Sequence, residues 1–218
     1  MENNNHVIES ILATGVMAAA KVPGADKAVS TAKALLKGGV EVIEFSMVMP
    51  DCLEAIHLVK KELHGSMHIG VGTVLDAESA RVAILTGAEF VVGPTTDEYT
   101  IEMAHRYGKP VIPGAMTPNE ILHAYELGAR IIKVFPGGLL GADYFSAILA
   151  PLPHIPLMPD GGVNLENAGD LIKAGSAALG IGGSLVRKDL INADKFDELS
   201  QTAKNFIEIV KRARKNCK

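Results

Sequence analysis

Two ionisable side chains stand inside otherwise apolar runs. Lys133 lies within Ile131-Ile132-Lys133-Val134-Phe135-Pro136, and Glu44 within Val42-Ile43-Glu44-Phe45-Ser46. A lysine surrounded by apolar neighbours loses hydration, which disfavours the ammonium form and frees the amine as a nucleophile. Such amines form Schiff bases with carbonyl substrates. The competing reading is a lysine that snorkels to the surface or sits in a structural pair. A carboxylate in an apolar strand is costly unless it is paired or protonated. As a functional group Glu44 is a general acid–base tuned toward neutrality; as a structural group it is half of a buried ion pair. An amine nucleophile and a carboxylate base together point to imine and enamine chemistry.

Glycine pairs give a third signal. Gly161-Gly162 and Gly182-Gly183-Ser184 each follow a short apolar run. Their backbone N–H groups suit an anion such as phosphate, although glycine also makes ordinary tight turns. Gly70-Val71-Gly72-Thr73 offers the Thr73 hydroxyl to a substrate carboxylate; it lacks the third glycine and downstream acid of a dinucleotide fingerprint. His57, His64 and His68 lack a metal-ligand spacing and read as solvated surface. No metal and no cofactor are expected.

These residues need a frame to bring them together. Short β-branched runs at Val16–Ala20, Val40–Ser46, Met67–Val71, Glu89–Gly93, Pro110–Pro113, Arg130–Phe135, Ile155–Pro159 and Ala177–Ile181 read as strands buried on both faces. Between and after them lie amphipathic segments at Ala25–Lys37, Cys52–Leu63, Ala77–Thr86, Glu98–Tyr107, Pro118–Leu127, Ala142–Leu149, Leu165–Lys173 and Lys195–Arg214. Asp51, Asp76, Asp97, Thr117 and Asn164 stand at their starts as N-caps. Gly39, Gly65, Gly87, Gly108, Gly128 and Gly175 stand at their ends, where the left-handed C′ geometry favours glycine. Eight strand-then-helix units in 218 residues predict one α/β domain over residues 1–218, a (β/α)8 TIM barrel. A doubly wound open sheet is the alternative. An additional helix over Glu2–Ala13, within residues 1–14, is expected to cap the bottom of the barrel. In a barrel the site lies at the C-terminal ends of the strands.

Composition narrows the class. The chain has 21 Lys and Arg against 25 Asp and Glu, a net charge of −4, and no basic field for nucleic acid. No apolar run is long enough for a membrane span. The first seven residues have neither the basic nor the apolar region of a secretory signal, so a cytoplasmic protein is expected. Cys52 and Cys217 exclude a disulfide scaffold, and Cys217 does not form a prenylation box. Arg212, Arg214, Lys215 and Lys218 suit the C-terminal end of the last helix dipole.

Several ordered motifs resemble the bacterial 2-keto-3-deoxy-6-phosphogluconate / 4-hydroxy-2-oxoglutarate aldolases. They are Lys37-Gly38-Gly39-Val40-Glu41-Val42-Ile43-Glu44, Gly70-Val71-Gly72-Thr73-Val74, Ile112-Pro113-Gly114-Ala115-Met116-Thr117, Ile132-Lys133-Val134-Phe135-Pro136, Gly161-Gly162-Val163 and Gly180-Ile181-Gly182-Gly183-Ser184. The resemblance runs from about Val16 to Val186. It implies a metal-independent, homotrimeric class I aldolase that cleaves a 2-keto-3-deoxy sugar acid to pyruvate and an aldehyde. Lys133 matches the Schiff-base lysine and Glu44 the proton-shuttling carboxylate. Thr73 matches a contact to the pyruvate carboxylate, and Pro94 and Phe135 match pocket walls. Gly161, Gly162, Gly183 and Ser184 match the phosphate-binding end. Three positions depart from the family's pattern. Lys21 stands where an arginine is usual, Val48 where many members place another, and Asp160 replaces the threonine of Pro-Thr-Gly-Gly. Either Asp160 pairs with Lys21, or the substrate tail is an unphosphorylated polyol. Competing readings are a phosphate-binding isomerase or epimerase that uses Glu44 and Asp160, and a non-catalytic sugar-acid-binding barrel.

Overall fold

The computed structural model describes residues 5–215. The expected helix start at Glu2, together with Cys217 and Lys218, lies outside them. The strands are β1 (Val16–Ala20), β2 (Val42–Ser46), β3 (His68–Gly72), β4 (Val91–Val92), β5 (Val111–Ile112), β6 (Gly114–Ala115), β7 (Ile132–Val134), β8 (Leu157–Pro159) and β9 (Leu179–Ile181). The helices are α1 (Asn5–Thr14), α2 (Ala25–Lys37), α3 (Cys52–Leu63), α4 (Ala77–Thr86), α5 (Glu98–Arg106), α6 (Pro118–Glu126), α7 (Gly137–Leu149), α8 (Ala168–Lys173), α9 (Lys188–Asn192) and α10 (Phe196–Lys215). Among the described residues no helix is long and apolar enough to cross a membrane.

Every strand pairing is parallel. One curled sheet has the order β5-β4-β3-β2-β1-β9, and a three-stranded sheet has the order β6-β7-β8. The expected fifth strand is divided into β5 and β6 at Pro113, which has no N–H to donate to a ladder. Its carbonyl still accepts the Lys133 N–H at 2.9 Å. Across the other gap, the Ala177 N–H donates to Leu157 O at 2.9 Å.

Side chains alternate along each strand, and the two faces form two cores. Ile43, Phe45, Ile132, Val134, Leu157, Leu179 and Ile181 face the helices in the larger core. Met17, Val42, Phe90, Val92, Ile112, Ile131, Met158 and Ala178 face the other way in a smaller core. There α1 inserts Val7, Ile8 and Ile11, closing the end at which the strands begin. Gly70 makes room in this inner core, since a Cβ on it would lie 2.5 Å from the Phe90 ring.

The six glycine stops all have positive φ, from 63° at Gly108 to 124° at Gly87. Asp76, Asp97 and Thr117 cap their helices; Thr117 and Glu120 form a reciprocal capping box. Asp51 and Asn164 depart from expectation. Asp51 is left-handed (φ 53°) and makes no capping bond. The Asn164 carboxamide instead accepts the N–H groups of Glu166 and Asn167, which makes a turn and delays α8 to Ala168. Helix α7 starts at Gly137, earlier than expected, and breaks at Gly141 (φ 78°, ψ 173°). Arg214 does more than complement a dipole: it donates to Ala13 O and Ala177 O, tying the end of α10 to the start of the sheet.

Candidate active site

Continuing the inner-core alternation two residues further along each strand leads into one cavity of about 550 Å³. Val42 is followed by Glu44 and Ser46, and Ile131 by Lys133 and Phe135. In the same way Met17 leads to Ala19 and Lys21, Val92 to Pro94, and Met158 to Asp160; all of these later residues line the cavity. The period of two therefore carries β1, β2, β7 and β8 from core packing at one end to polar chemistry at the other.

Lys133 and Asp160 are both buried, and their Nζ and Oδ2 lie 2.6 Å apart. The contact is an ion pair outside hydrogen-bonding angles, so Oδ2 has no aligned donor. Oδ1 accepts the Gly161 N–H at 2.6 Å. The partner of Asp160 is thus Lys133, which corrects the expectation of a pair with Lys21: Lys21 is exposed at the rim, whereas Asp160 points inward from the end of β8. The Lys133 Nζ also stands 5.2 Å from the Phe135 ring centroid.

Glu44 is 2% exposed and its Oε2 has no hydrogen-bond partner among the described residues. Burial pushes its carboxyl up to about 7; Lys133 pulls it down, Asp160 adds to the rise, and Lys21 pulls weakly down. The space it occupies is made by Gly72, where a Cβ would lie 1.4 Å from Oε2. Because its folded-state value is raised, the native protein keeps a proton that the unfolded chain releases between pH 4.5 and about 7. Stability must then fall as pH rises through that window. Glu44→Gln removes this loss, so its stability relative to wild type should improve by about 3 kcal/mol between those limits in pH-dependent denaturant unfolding. Parallel stability curves would contradict the burial account.

Thr73 completes the polar wall. Its φ is +58°, a strained value for a β-branched residue, and its Oγ1 lies 2.6 Å from Ser46 Oγ. Gly161 and Gly183 also line the cavity. Gly162 and Ser184 do not: both are exposed, and Gly162 packs against the backbone of Gly138 and Leu139. Val48 is 62% exposed and also lies outside the lining. Gly182, read with the second glycine cluster, lines the cavity too, whereas sequence reasoning missed Ala19, Ser46, Val186 and Lys188. The first two follow from the two-residue period; Val186 and Lys188 lie past β9 and have no such signal.

Of the three histidines read as solvated, His57 and His64 are exposed, but His68 is not. Its Nδ1 lies 2.9 Å from Glu89, which also pairs with Lys60 at 2.5 Å. Burial alone would raise the Glu89 carboxyl, but the His68 and Lys60 contacts outweigh it and hold it at about 2. Among the described residues no group of three or more His, Cys, Asp or Glu side chains is placed to hold a metal.

The family model for KDPG and KHG aldolase matches residues 7–202. A KHG/KDPG aldolase of Escherichia coli strain K12 is 32% identical over 211 residues, covering 95% of this chain and 98% of that protein. A solved structure described as native KDPGal superimposes with a TM-score of 0.83 at 28% identity, covering 92% of this chain and 96% of the other. A cube-shaped cage designed by fusing symmetric oligomeric domains also matches at 0.83 and 28%, covering 93% of this chain and 74% of the cage chain.

Proposed function

Because the chain belongs to the KDPG and KHG aldolase family, we propose that this cavity cleaves a 2-keto-3-deoxy sugar acid, with the Schiff base on Lys133. The enzyme is a class I carbon–carbon lyase that forms pyruvate. The observation that carries the assignment of residues is the placing of Lys133, Glu44 and Asp160 around one cavity at the strand ends. The Lys133 amine attacks the C2 ketone, and loss of water leaves an iminium. Glu44 takes the proton of the C4 hydroxyl, the C3–C4 bond breaks, and its electron pair passes to the iminium to give an enamine. The aldehyde leaves; the enamine regains a proton at C3 and is hydrolysed to pyruvate. The paired Ser46 and Thr73 hydroxyls orient the substrate carboxylate, with Pro94 and Phe135 as walls.

We read the tail as phosphorylated. Asp160 directs its charge to Lys133 and to the Gly161 N–H, while Lys21 and Lys188 are exposed cations on the lining of the cavity that Gly183 also lines. Assayed by pyruvate release, the 6-phosphorylated acid should be cleaved with a higher kcat/KM than its unphosphorylated counterpart. Lys188→Ala should raise KM for the phosphorylated acid about 10-fold, the scale of one charge-assisted hydrogen bond, with kcat unchanged. Equal kcat/KM for the two acids would contradict the phosphate reading and favour a polyol tail.

The frame we propose is a single-domain, closed (β/α)8 barrel. In its support, only Pro113 separates β5 from β6, the Ala177–Leu157 bond bridges β8 and β9, and the inner core draws on most of the strands. We also propose a homotrimer. Val48, Leu75 and Tyr99 leave large apolar surface exposed on the segments that follow β2, β3 and β4, and the matching cage chain is built from symmetric oligomeric domains.

A further inference from the structure

The Lys133–Asp160 pair has features that substrate binding does not require. Asp160 is almost fully buried, at 4% exposure, and one of its oxygens is fixed by the Gly161 N–H. The other oxygen is left facing the Lys133 Nζ at 2.6 Å without an aligned donor. The fold makes room for it: a Cβ on Gly180 would lie 2.9 Å from both Cβ and Cγ of Asp160. Glu44 has a separate space, made by Gly72 on β3. Two carboxylates are therefore held independently, and only one forms an ion pair with the amine.

We propose that Asp160 is a second acid–base residue, dedicated to making the Schiff base, while Glu44 serves the carbon–carbon bond. The inference rests on the aldolase reading above. Asp160 Oδ2 takes one proton from the Lys133 ammonium, leaving a neutral amine and a neutral carboxyl group. The amine lone pair forms the N–C2 bond as the carbonyl π pair moves to oxygen. Asp160 relays a proton from nitrogen to that oxygen, giving the neutral carbinolamine. It then delivers its own proton to the carbinolamine hydroxyl; the C–O bond breaks, water leaves, and the nitrogen lone pair closes the iminium. Three ammonium protons become one iminium proton and two in water. Asp160 ends as it began, a carboxylate beside a cation, so the buried charge balance is the same before and after.

Two rates measured with pyruvate separate the carboxylates. One is formation of the borohydride-trapped adduct on Lys133; the other is exchange of the pyruvate methyl protons with deuterated water, which needs the iminium and then a base at C3. Asp160→Asn should slow both about 100-fold, the scale of one general acid–base group. Glu44→Gln should leave adduct formation near the wild-type rate and slow exchange alone. In Asp160→Ala, added formate should restore adduct formation, a response that a purely structural aspartate does not give. The proposal is overturned if Asp160→Asn forms adduct at the wild-type rate, if formate leaves Asp160→Ala unchanged, or if Glu44→Gln slows adduct formation as much as Asp160→Asn. Wild type forming no adduct at all would remove the aldolase reading itself, and this inference with it.

Discussion

Replacing Lys133 with methionine is expected to lower kcat/KM by at least about 10⁴-fold, in the range seen when a covalent nucleophile is removed. Methionine keeps much of the side-chain volume but offers no electron pair that can form an imine. The substitution also has a structural effect. Asp160 would remain buried with its carboxylate facing an apolar group, and breaking one side of a buried pair costs about 3–5 kcal/mol. The two effects separate in the double variant. Adding Asp160→Asn to Lys133→Met should recover part of the lost unfolding free energy, because no charge is then left without a partner, while activity stays lost. Activity returning in step with stability would show that Lys133 acts only as a structural partner.

The second large effect is expected from a residue with no side chain. Gly72→Ala places a Cβ 1.4 Å from Glu44 Oε2 and 2.1 Å from its Cδ, across from β2. Glu44 must turn away from its space. The loss in kcat should be about 10²–10³-fold, the range of a general acid–base group, with the borohydride adduct on Lys133 still formed. Overpacking the strand costs about 1–3 kcal/mol, so the fold should persist. Gly169→Ala on α8 is the comparison: its Cβ would meet only Ile209 at 3.6 Å, and kcat should match wild type. A Gly72→Ala enzyme with wild-type kcat would mean that Glu44 is not the group that moves protons.

Much of this frame was legible in the chain. The limits of β1, α2, α3 and α4 agree with those read from the sequence, because each is bounded by glycine or a sharp change from apolar to polar residues. Lys133 and Glu44 were legible for a related reason: a lone charge in an apolar strand has few explanations, and both do line the cavity. What was not legible depends on which strands lie opposite each other. Lys133 pairs in register with Met158, two residues before Asp160, and nothing local to Asp160 reveals that neighbour. Lys21, on a different strand end, looked equally close. Pro113 hid the division of one strand into two because a proline at a strand end and a proline inside one read alike. Lys188 was missed because it reaches the cavity from the start of α9, beyond the two-residue alternation that places Ser46.

In the mechanism we propose, Lys133 carries the covalent intermediate. Reduction of the protein with borohydride in the presence of pyruvate, followed by peptide mapping, tests it most directly. One 1-carboxyethyl group per chain is expected, on Lys133 and on no other lysine, and none when pyruvate is omitted. An unmodified Lys133, or a stoichiometric adduct on Lys21 or Lys188 instead, would contradict it.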